Sequence, residues 1–172
     1  MAETRSEATL NQTSMELVGD REILISRAFN GPARIVFDAW TNPELVRRWW
    51  APRSLGDTFV SCAAEVRVGG GYRYVLRSSA GGDMAFSGKY TEITPPSRLV
   101  YTQTFEPVAG ADPMPGELII TVTFDERAGK THTVSRTVCS SKEVRDGLIA
   151  SGMETGMREH MEQLEELVAS LR

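Results

Sequence analysis

The sequence predicts an α+β fold in which a curved antiparallel sheet wraps around one long C-terminal helix. Two observations support this prediction. Between residues 58 and 139, short segments rich in β-branched and aromatic residues alternate with turns that contain glycine or proline, which is typical of an antiparallel meander. Between residues 141 and 172, apolar residues recur at three- and four-residue spacing, which indicates an amphipathic helix. The apolar stripe of the helix needs an apolar partner, and one face of the sheet supplies it.

Length and composition limit the classes of protein to consider. The 172 residues suit one domain, predicted over residues 20–172, after an arm over residues 1–19 whose polar composition predicts disorder. A net charge of −4 without any basic run argues against a nucleic-acid partner. No apolar run is long enough to span a membrane, and no signal-peptide core is present. Two cysteines do not form a disulfide framework, so we expect a cytoplasmic protein.

The elements follow in order from local signals. The first strand, residues 22–29, ends at an Asn-Gly-Pro turn whose proline suits the start of a short helix over residues 33–40. Asn42-Pro43 starts a second short helix over residues 44–50, which Pro52 ends. These two helices should close one end of the sheet. The remaining strands are predicted over residues 58–68, 72–78, 84–93, 98–105, 117–125 and 130–139.

The C-terminal helix carries the most informative pattern. Ser140-Ser141-Lys142-Glu143 provides a capping box at its start. Its apolar stripe is rich in methionine, with Met153, Met157 and Met161 at four-residue spacing and His160 within the stripe. Methionine fills irregular spaces, so the stripe suits either an imperfectly packed core or an adaptable cavity. The loop over residues 107–116, with three prolines, is predicted to be mobile or functional and to lie near the mouth of such a cavity.

Several short motifs, in this order, resemble a known family. They are AWTNPE (39–44), RWWAP (48–52), GGGYR (69–73), GKYTEI (88–93), PPSRLV (95–100), SKEVRD (141–146) and SGMETGM (151–157). Together they resemble the activator-of-heat-shock-ATPase-like branch of the START-like (SRPBCC) superfamily, in its bacterial subgroup, over about residues 21–171. The resemblance implies a helix-grip fold with an apolar cavity. Since this superfamily includes lipid carriers, hormone binders, polyketide cyclases and co-chaperones, it does not imply one function.

The strand alternation and the methionine stripe predict which side chains line the cavity. Tyr72 and Tyr74 share one strand face, and Met84 and Phe86 share a face on the next strand. Either group belongs equally well to an ordinary core. Trp49 and Trp50 are adjacent and cannot share a helix face, so one of them is the better ligand contact. The candidate ligand-binding residues are Trp50, Tyr72, Tyr74, Met84, Phe86, Met153, Met157, His160 and Met161.

Two features leave alternatives open. His160 either holds the polar group of a ligand or bonds a backbone carbonyl at the edge of the stripe. Residues 130–139 alternate hydroxyl-bearing side chains on one face with His132, Val134 and Arg136 on the other. If the hydroxyl face points inward, the cavity is partly polar. If Arg136 points inward, it requires a carboxylate such as Glu65, or a bound anion, because a lone buried charge is costly.

The residues favour binding over catalysis. No His, Cys or carboxylate spacing resembles a metal site, Gly69-Gly70-Gly71 indicates a hairpin turn, and no catalytic triad motif is present. We therefore expect no cofactor and a protein that binds a hydrophobic or aromatic small molecule, as carrier or sensor. The family resemblance adds a second hypothesis, a partner that stimulates a chaperone ATPase. A cyclase- or hydrolase-like enzyme that uses His160 or a tyrosine as general acid or base is a third, and a homodimer is left open.

Overall fold

The fold is an eight-stranded antiparallel sheet that curves around a C-terminal helix, as the sequence predicts. The computed structural model describes residues 12–111 and 116–172. The strand order is β1-β2-β8-β7-β6-β5-β4-β3, so that β1 and β3 form the two edges. The strands are β1 Ser14–Val18, β2 Glu22–Phe29, β3 Thr58–Ala64, β4 Gly71–Arg77, β5 Asp83–Thr94, β6 Arg98–Glu106, β7 Leu118–Arg127 and β8 Lys130–Val138.

The first helix matches its predicted bounds to within one residue, and the second is shorter than predicted. The helices are α1 Ala33–Thr41, α2 Pro43–Val46, α3 Lys142–Ala150 and α4 Met153–Leu171, with a 3-10 turn at Arg53–Leu55. The Asn42 side chain accepts a hydrogen bond from the Glu44 backbone N–H at 3.1 Å and caps α2. The prediction that α2 continues to Trp50 is wrong, because the fully buried Trp49 leaves the helix to donate its indole N–H to the Ala39 carbonyl at 2.7 Å.

The predicted single C-terminal helix is two helices. α3 ends at Ala150, and Gly152 adopts a left-handed conformation with φ of 82° that most residues avoid. The hydroxyl of Ser151 donates to the Leu148 carbonyl at 2.6 Å, which satisfies an acceptor left free at the end of α3. The chain therefore changes direction within the stretch that the periodicity alone assigned to one helix. The prediction of one helix over residues 141–172 is wrong for this reason.

The predicted disordered arm contains a strand. β1 pairs with β2 from Ser14 opposite Ser26 to Val18 opposite Glu22, so the prediction is wrong for these residues. Residues 1–11 of the arm lie outside the described residues. Just before β1, the Thr13 side chain accepts a hydrogen bond at 2.9 Å from the buried guanidinium of Arg27, which also pairs with Glu162 at 2.9 Å. The segment before residue 20 thus completes the surroundings of a buried charge.

The core lies between the inner face of the sheet and the apolar stripe of α4. Met157, Met161, Leu164, Leu167 and Val168 are buried there. Phe37, Trp40 and Trp49 close one end of the sheet together with Phe124, with ring centroids 5.2 to 5.6 Å apart between neighbouring rings. The two short helices therefore do what the sequence predicted of them. Over the described ranges, none of the helices has the length and apolar character needed to cross a bilayer.

The hydroxyl-bearing face of β8 points inward. Thr131 and Thr133 are buried and donate to the carbonyls of Gly31, at 2.7 Å, and Arg27, at 3.0 Å. Arg136 points outward and pairs with Glu22 at 3.3 Å. The alternative pairing with Glu65 is not formed, and Glu65 instead pairs with Arg67 at 2.8 Å. The inner face of the sheet is therefore partly polar at β8.

Candidate ligand cavity

A cavity of about 490 Å³ lies between the two C-terminal helices and the inner face of the sheet. A second cavity of about 290 Å³ adjoins it and extends under α4. Six residues line both cavities, and they come from β5, β6, β7, α3 and α4: Phe86, Gln103, Leu118, Leu148, Met153 and Gly156. The cavities therefore share a wall, and they follow the line along which α3 and α4 pack over the sheet.

Strand pairing positions the sheet side of the larger cavity. Phe86 on β5 lies opposite Phe105 on β6, and their ring centroids are 4.7 Å apart. Gln103, two residues before Phe105 on the same face, lies opposite Leu118 on β7. Gly116, at the end of the loop that precedes β7, also lines this cavity. The wall is thus mainly apolar, with one amide group near its middle.

The segment after α2 is fastened to α4 by polar side chains. Gln163 is buried, donates to the carbonyls of Trp49 and Ala51 at 3.0 and 2.9 Å, and accepts from the Arg53 backbone N–H at 2.9 Å. Glu159 accepts a hydrogen bond from the Ser54 backbone N–H at 2.8 Å. Hydrogen bonds from the Ser54 side chain and backbone lower the pKa of Glu159 below its ordinary value, so this lining carboxylate stays charged.

The structure brings six of the nine predicted residues to these cavities. Trp50, Phe86, Met153, Met157, His160 and Met161 line the smaller one, and Phe86 and Met153 line the larger one as well. Trp50 is half-buried with its ring 4.4 Å from Phe86, whereas Trp49 belongs to the core. Both tryptophans line the smaller cavity, but Trp49 is almost fully buried and Trp50 is the more exposed of the two.

Tyr72, Tyr74 and Met84 lie elsewhere. Tyr72 and Tyr74 line a third space of only about 20 Å³, too small for an organic ligand. Trp50 borders that space and the 290 Å³ cavity, and its ring contacts Tyr74 at 5.4 Å on one side and Phe86 on the other. Met84 lines none of the three cavities and packs against the core. Contrary to the prediction, neither of the two larger cavities is lined by these three residues, and Trp50 lies between Tyr74 and Phe86.

The tyrosines around the small space are neutral groups. Tyr72 donates its hydroxyl to the Thr102 carbonyl at 2.7 Å, and Tyr74 and Tyr90 share a hydrogen bond. Burial raises the pKa of Tyr72 and of Tyr74 far above the ordinary value, and raises that of Tyr101 to about 12. These phenols therefore act as fixed hydrogen-bonding groups at neutral pH and are unsuited to serve as general bases.

His160 forms the backbone hydrogen bond that was one of the two alternatives left open by the sequence. Its ring packs edge-on against Trp49, with centroids 5.5 Å apart, and it forms a hydrogen bond with the backbone of Trp50. Desolvation lowers the pKa of His160 to about 4, an effect that the backbone hydrogen bond opposes. The same residue lines the 290 Å³ cavity. His160 is thus a neutral imidazole held by the backbone at the edge of the cavity.

Comparison with known proteins agrees with the fold and the motifs. The family model described as Activator of Hsp90 ATPase homolog 1-like protein matches residues 30–169. The chain belongs to this family. The motif resemblance to the heat-shock-ATPase-activator branch of the START-like superfamily is thereby confirmed. No curated protein sequence matches the chain.

Solved structures support the same fold for this family member. A crystal structure of a Rhodobacter sphaeroides protein has a TM-score of 0.82 and 24% identity, covering 92% of this chain and 99% of its own. Protein Ms6760 from Mycobacterium smegmatis has a TM-score of 0.77 and 20% identity, covering 93% and 99%. Protein CV1439 from Chromobacterium violaceum has a TM-score of 0.71 and 26% identity, covering 87% and 98%. The helix-grip architecture is common to all of them.

Several residues of the site escaped the sequence analysis. Gln103 alternates with Tyr101 and Phe105 on β6, and the same alternation rule that selected Tyr74 and Phe86 would have found it. Leu148 faces the cavity only because the chain turns at Gly152, which a continuous helix did not anticipate. Within the described residues, no group of three His, Cys, Asp or Glu side chains is arranged to hold a metal ion.

Proposed function

We propose that this protein binds a hydrophobic or aromatic small molecule that carries one polar group, and that it acts as a carrier or sensor in the cytoplasm. The observation that carries the proposal is the cavity of about 490 Å³ between α3, α4 and the sheet. Its volume lies in the range of roughly 300–1,000 Å³ that is typical of sites for organic ligands. Its walls combine phenylalanine, leucine and methionine side chains with few polar groups, the usual composition of such sites.

The charges around the cavity narrow the class of ligand. No lysine or arginine is among the described residues that line the two larger cavities, whereas the charged Glu159 lines the larger one. A phosphate or other multiply charged anion would lose its hydration without gaining a cationic partner, and it would be repelled by Glu159. The surroundings therefore favour an uncharged ligand over a sugar phosphate.

A matched pair of glycine variants tests the proposal. Gly156 lies on α4 and lines both cavities, and a Cβ atom there would make an ordinary contact of 3.6 Å with Pro52. Gly147 lies on α3, where a Cβ atom would meet nothing within 4 Å. We expect Gly156→Leu to weaken binding of the apolar fluorophore N-phenyl-1-naphthylamine by about tenfold or more, since a leucine occupies the space of the ligand. Gly147→Leu is the control and should bind like the wild type.

The measurement is the fluorescence titration of each variant, with thermal unfolding to confirm that both remain folded. Equal binding by Gly156→Leu and Gly147→Leu would show that the fluorophore sits outside the cavity. Failure of the wild-type protein to bind this fluorophore, and failure of other uncharged aromatic or lipid-like molecules to bind, would contradict the proposal as a whole.

The family description supports a second function, stimulation of a chaperone ATPase. Membership in the family described as Activator of Hsp90 ATPase homolog 1-like protein is the observation in its favour. Addition of the purified protein to an Hsp90-type chaperone would then raise its ATPase rate and the two proteins would co-purify. An unchanged rate would exclude this function and leave ligand binding unaffected.

A cyclase- or hydrolase-like enzyme is the third candidate function, with His160 or a tyrosine as its general acid or base. A histidine whose pKa is lowered to about 4 is a weak base, and this imidazole already bonds the Trp50 backbone. Both features favour a structural role for His160 and rank catalysis below binding.

A further inference from the structure

Gln103 occupies the point where the cavities meet. Its side chain lines both large cavities and the small space next to the tyrosines. The residue is half-buried on the inner face of β6, opposite Leu118 and two residues before Phe105. Its amide has one oxygen that accepts and one nitrogen that donates, so the direction in which each points decides what a ligand meets there.

The hydroxyl of Tyr72 fixes that direction. The Tyr72 hydroxyl lies 2.7 Å from the Thr102 carbonyl oxygen and 3.2 Å from the Gln103 amide atom placed as Oε1, so it has two acceptors within reach. A phenol has one proton to donate, and burial raises its pKa, so the proton is present at neutral pH. It can satisfy only one of these two neighbours.

The Thr102 carbonyl is the neighbour that needs the proton. The register between β5 and β6 has no paired residues between Ser87–Thr104 and Tyr90–Tyr101, so Thr102 lies in an irregular part of the ladder. The Lys89 backbone N–H there donates to the Thr102 hydroxyl, at 3.0 Å, instead of to its carbonyl. The shorter contact from Tyr72 then supplies the carbonyl with its donor.

The Gln103 amide must therefore present its nitrogen to Tyr72. Two oxygens without a proton between them repel each other, whereas an amide N–H donating to the phenol oxygen makes the 3.2 Å contact favourable. The oxygen and nitrogen of a glutamine are assigned from such bonding patterns, and this pattern requires the two to be exchanged from their placed positions, with the oxygen on the side away from Tyr72. The cavity wall consequently offers a hydrogen-bond acceptor at its centre.

We propose that Gln103 selects ligands that carry a hydrogen-bond donor, such as a phenol, an alcohol or an amide N–H, and that Tyr72 is the positioning residue that sets the amide. This inference rests on the proposed ligand-binding function. An apolar molecule with a hydroxyl group would donate it to the Gln103 oxygen. A molecule of the same shape with only an ether oxygen would face the acceptor without a proton and bind more weakly.

Two matched competitors test this selection. 2-Naphthol and 2-methoxynaphthalene have the same ring system and differ in whether the oxygen carries a proton. Each displaces N-phenyl-1-naphthylamine from the wild-type protein and from Gln103→Leu, Gln103→Glu and Tyr72→Phe, and the ratio of the two dissociation constants is the readout. Comparing this ratio between variants removes the effect of the greater hydrophobicity of the methoxy compound, and it removes any loss of affinity that is the same for both compounds.

The expected result is a preference for 2-naphthol that falls about tenfold in Gln103→Leu, the effect of one hydrogen bond. Gln103→Glu should keep the preference because it keeps an acceptor oxygen. Tyr72→Phe should reduce it, since the amide becomes free to turn its nitrogen toward the ligand. A purely structural role for Tyr72 would change affinity for both compounds without changing their ratio.

An equal ratio in the wild type and in both Gln103→Leu and Tyr72→Phe would overturn the inference and leave ligand binding intact. If one of these variants does not fold, the ratio in the other decides. Failure of the fluorophore and of both naphthalenes to bind the wild-type protein would instead contradict the proposed function, and the selection by Gln103 with it.

Discussion

His160 is a neutral histidine whose ring lies between Trp49 and the backbone of Trp50. Its imidazole connects α4 to the segment that leads from the short helices to the sheet. Gln163, one turn further along α4, holds the same segment through the carbonyls of Trp49 and Ala51. The two side chains together keep Trp50 against Phe86, where it forms part of the cavity wall.

The lowered pKa of His160 predicts how stability depends on pH. The folded protein holds this pKa at about 4, below the ordinary value of 6.5 expected in the unfolded chain. Between these pH values the unfolded chain binds a proton that the folded protein does not, so the free energy of unfolding falls as the pH drops from 6.5. Well above pH 6.5 the imidazole is neutral in both states, so it does not change the free energy of unfolding with pH. Because the imidazole is partly exposed, we expect a loss of about 1 kcal/mol at pH 5 relative to pH 7.

Urea unfolding at the two pH values measures this effect. Carboxylates also titrate in this range. The change in the free energy of unfolding between pH 7 and pH 5 is therefore compared between the wild type and His160→Gln, which lacks the titrating imidazole. His132→Gln is the control because His132 is exposed on the outer face of β8. A His160→Gln variant with the same pH dependence as the wild type would contradict the burial assigned to His160.

The residues of the site differ in how far the sequence could predict them. Helical spacing found Met153, Met157 and Met161, because periodicity records which face of a helix is buried. Strand alternation placed Tyr72 and Tyr74 on the inner face correctly, but it carries no information about what lies over them. Only the tertiary position of Trp50 shows that the tyrosines border a small space and not either of the two larger cavities.

The bounds of helices and strands were predicted best where one local sequence pattern, such as strand alternation between turns, is clear. The alternating segments from β4 to β8 differ from their predicted bounds by one or two residues. The break between α3 and α4 was missed because Gly152 costs a helix only about 1 kcal/mol in isolation and the apolar spacing continues across it. β1 was missed because the arm that contains it is polar in overall composition, which predicts disorder. The strand is held by pairing with β2 and by contacts of the adjacent Thr13 with Arg27 and α4.

α3 is held in place by a contact with the start of the sheet. Its buried Arg145 donates to the Gly19 carbonyl, in the turn between β1 and β2, at 2.9 Å, and pairs with Asp146 at 3.0 Å. A buried arginine that is bonded in this way fixes the position of the helix that carries it. Since Val144 and Leu148 of α3 line the larger cavity, this contact also defines one side of the cavity.

Removal of β1 tests the structural role of the N-terminal segment. We expect a protein lacking residues 1–18 to be less stable than one lacking residues 1–12 by about 2 kcal/mol, which lowers Tm by about 6 °C. The physical reason is that Arg27 loses the Thr13 acceptor, Arg158 loses the Thr13 carbonyl, and β2 loses its partner strand. Thermal unfolding of the two truncated proteins measures the difference.

Thr13→Val in the full chain separates the side-chain hydrogen bond from strand pairing and should account for about 1 kcal/mol of the loss. Equal stability of the two truncated proteins would mean that β1 contributes nothing, and that the contact between Thr13 and Arg27 is not needed for the fold.

The cavity is a property of the whole molecule. A curved sheet cannot be covered fully by one straight helix, and the turn at Gly152 lets α3 cover the part of the sheet that α4 does not reach. The space that remains between the two helices and the strands is the cavity of about 490 Å³. Each wall comes from a different part of the chain, so the cavity forms only in the folded protein.

A ligand bound in that space should also stabilise the fold, because it binds only the folded state. The most direct test of ligand binding is the location of a heavy atom in crystals soaked with 6-bromo-2-naphthol. We expect a bromine anomalous peak between Phe86 and Phe105 on the sheet and Leu148 and Met153 on the helices, with the naphthol hydroxyl at Gln103. A bromine site on the outer surface, or an empty cavity in crystals soaked at a concentration that saturates binding in solution, would contradict it.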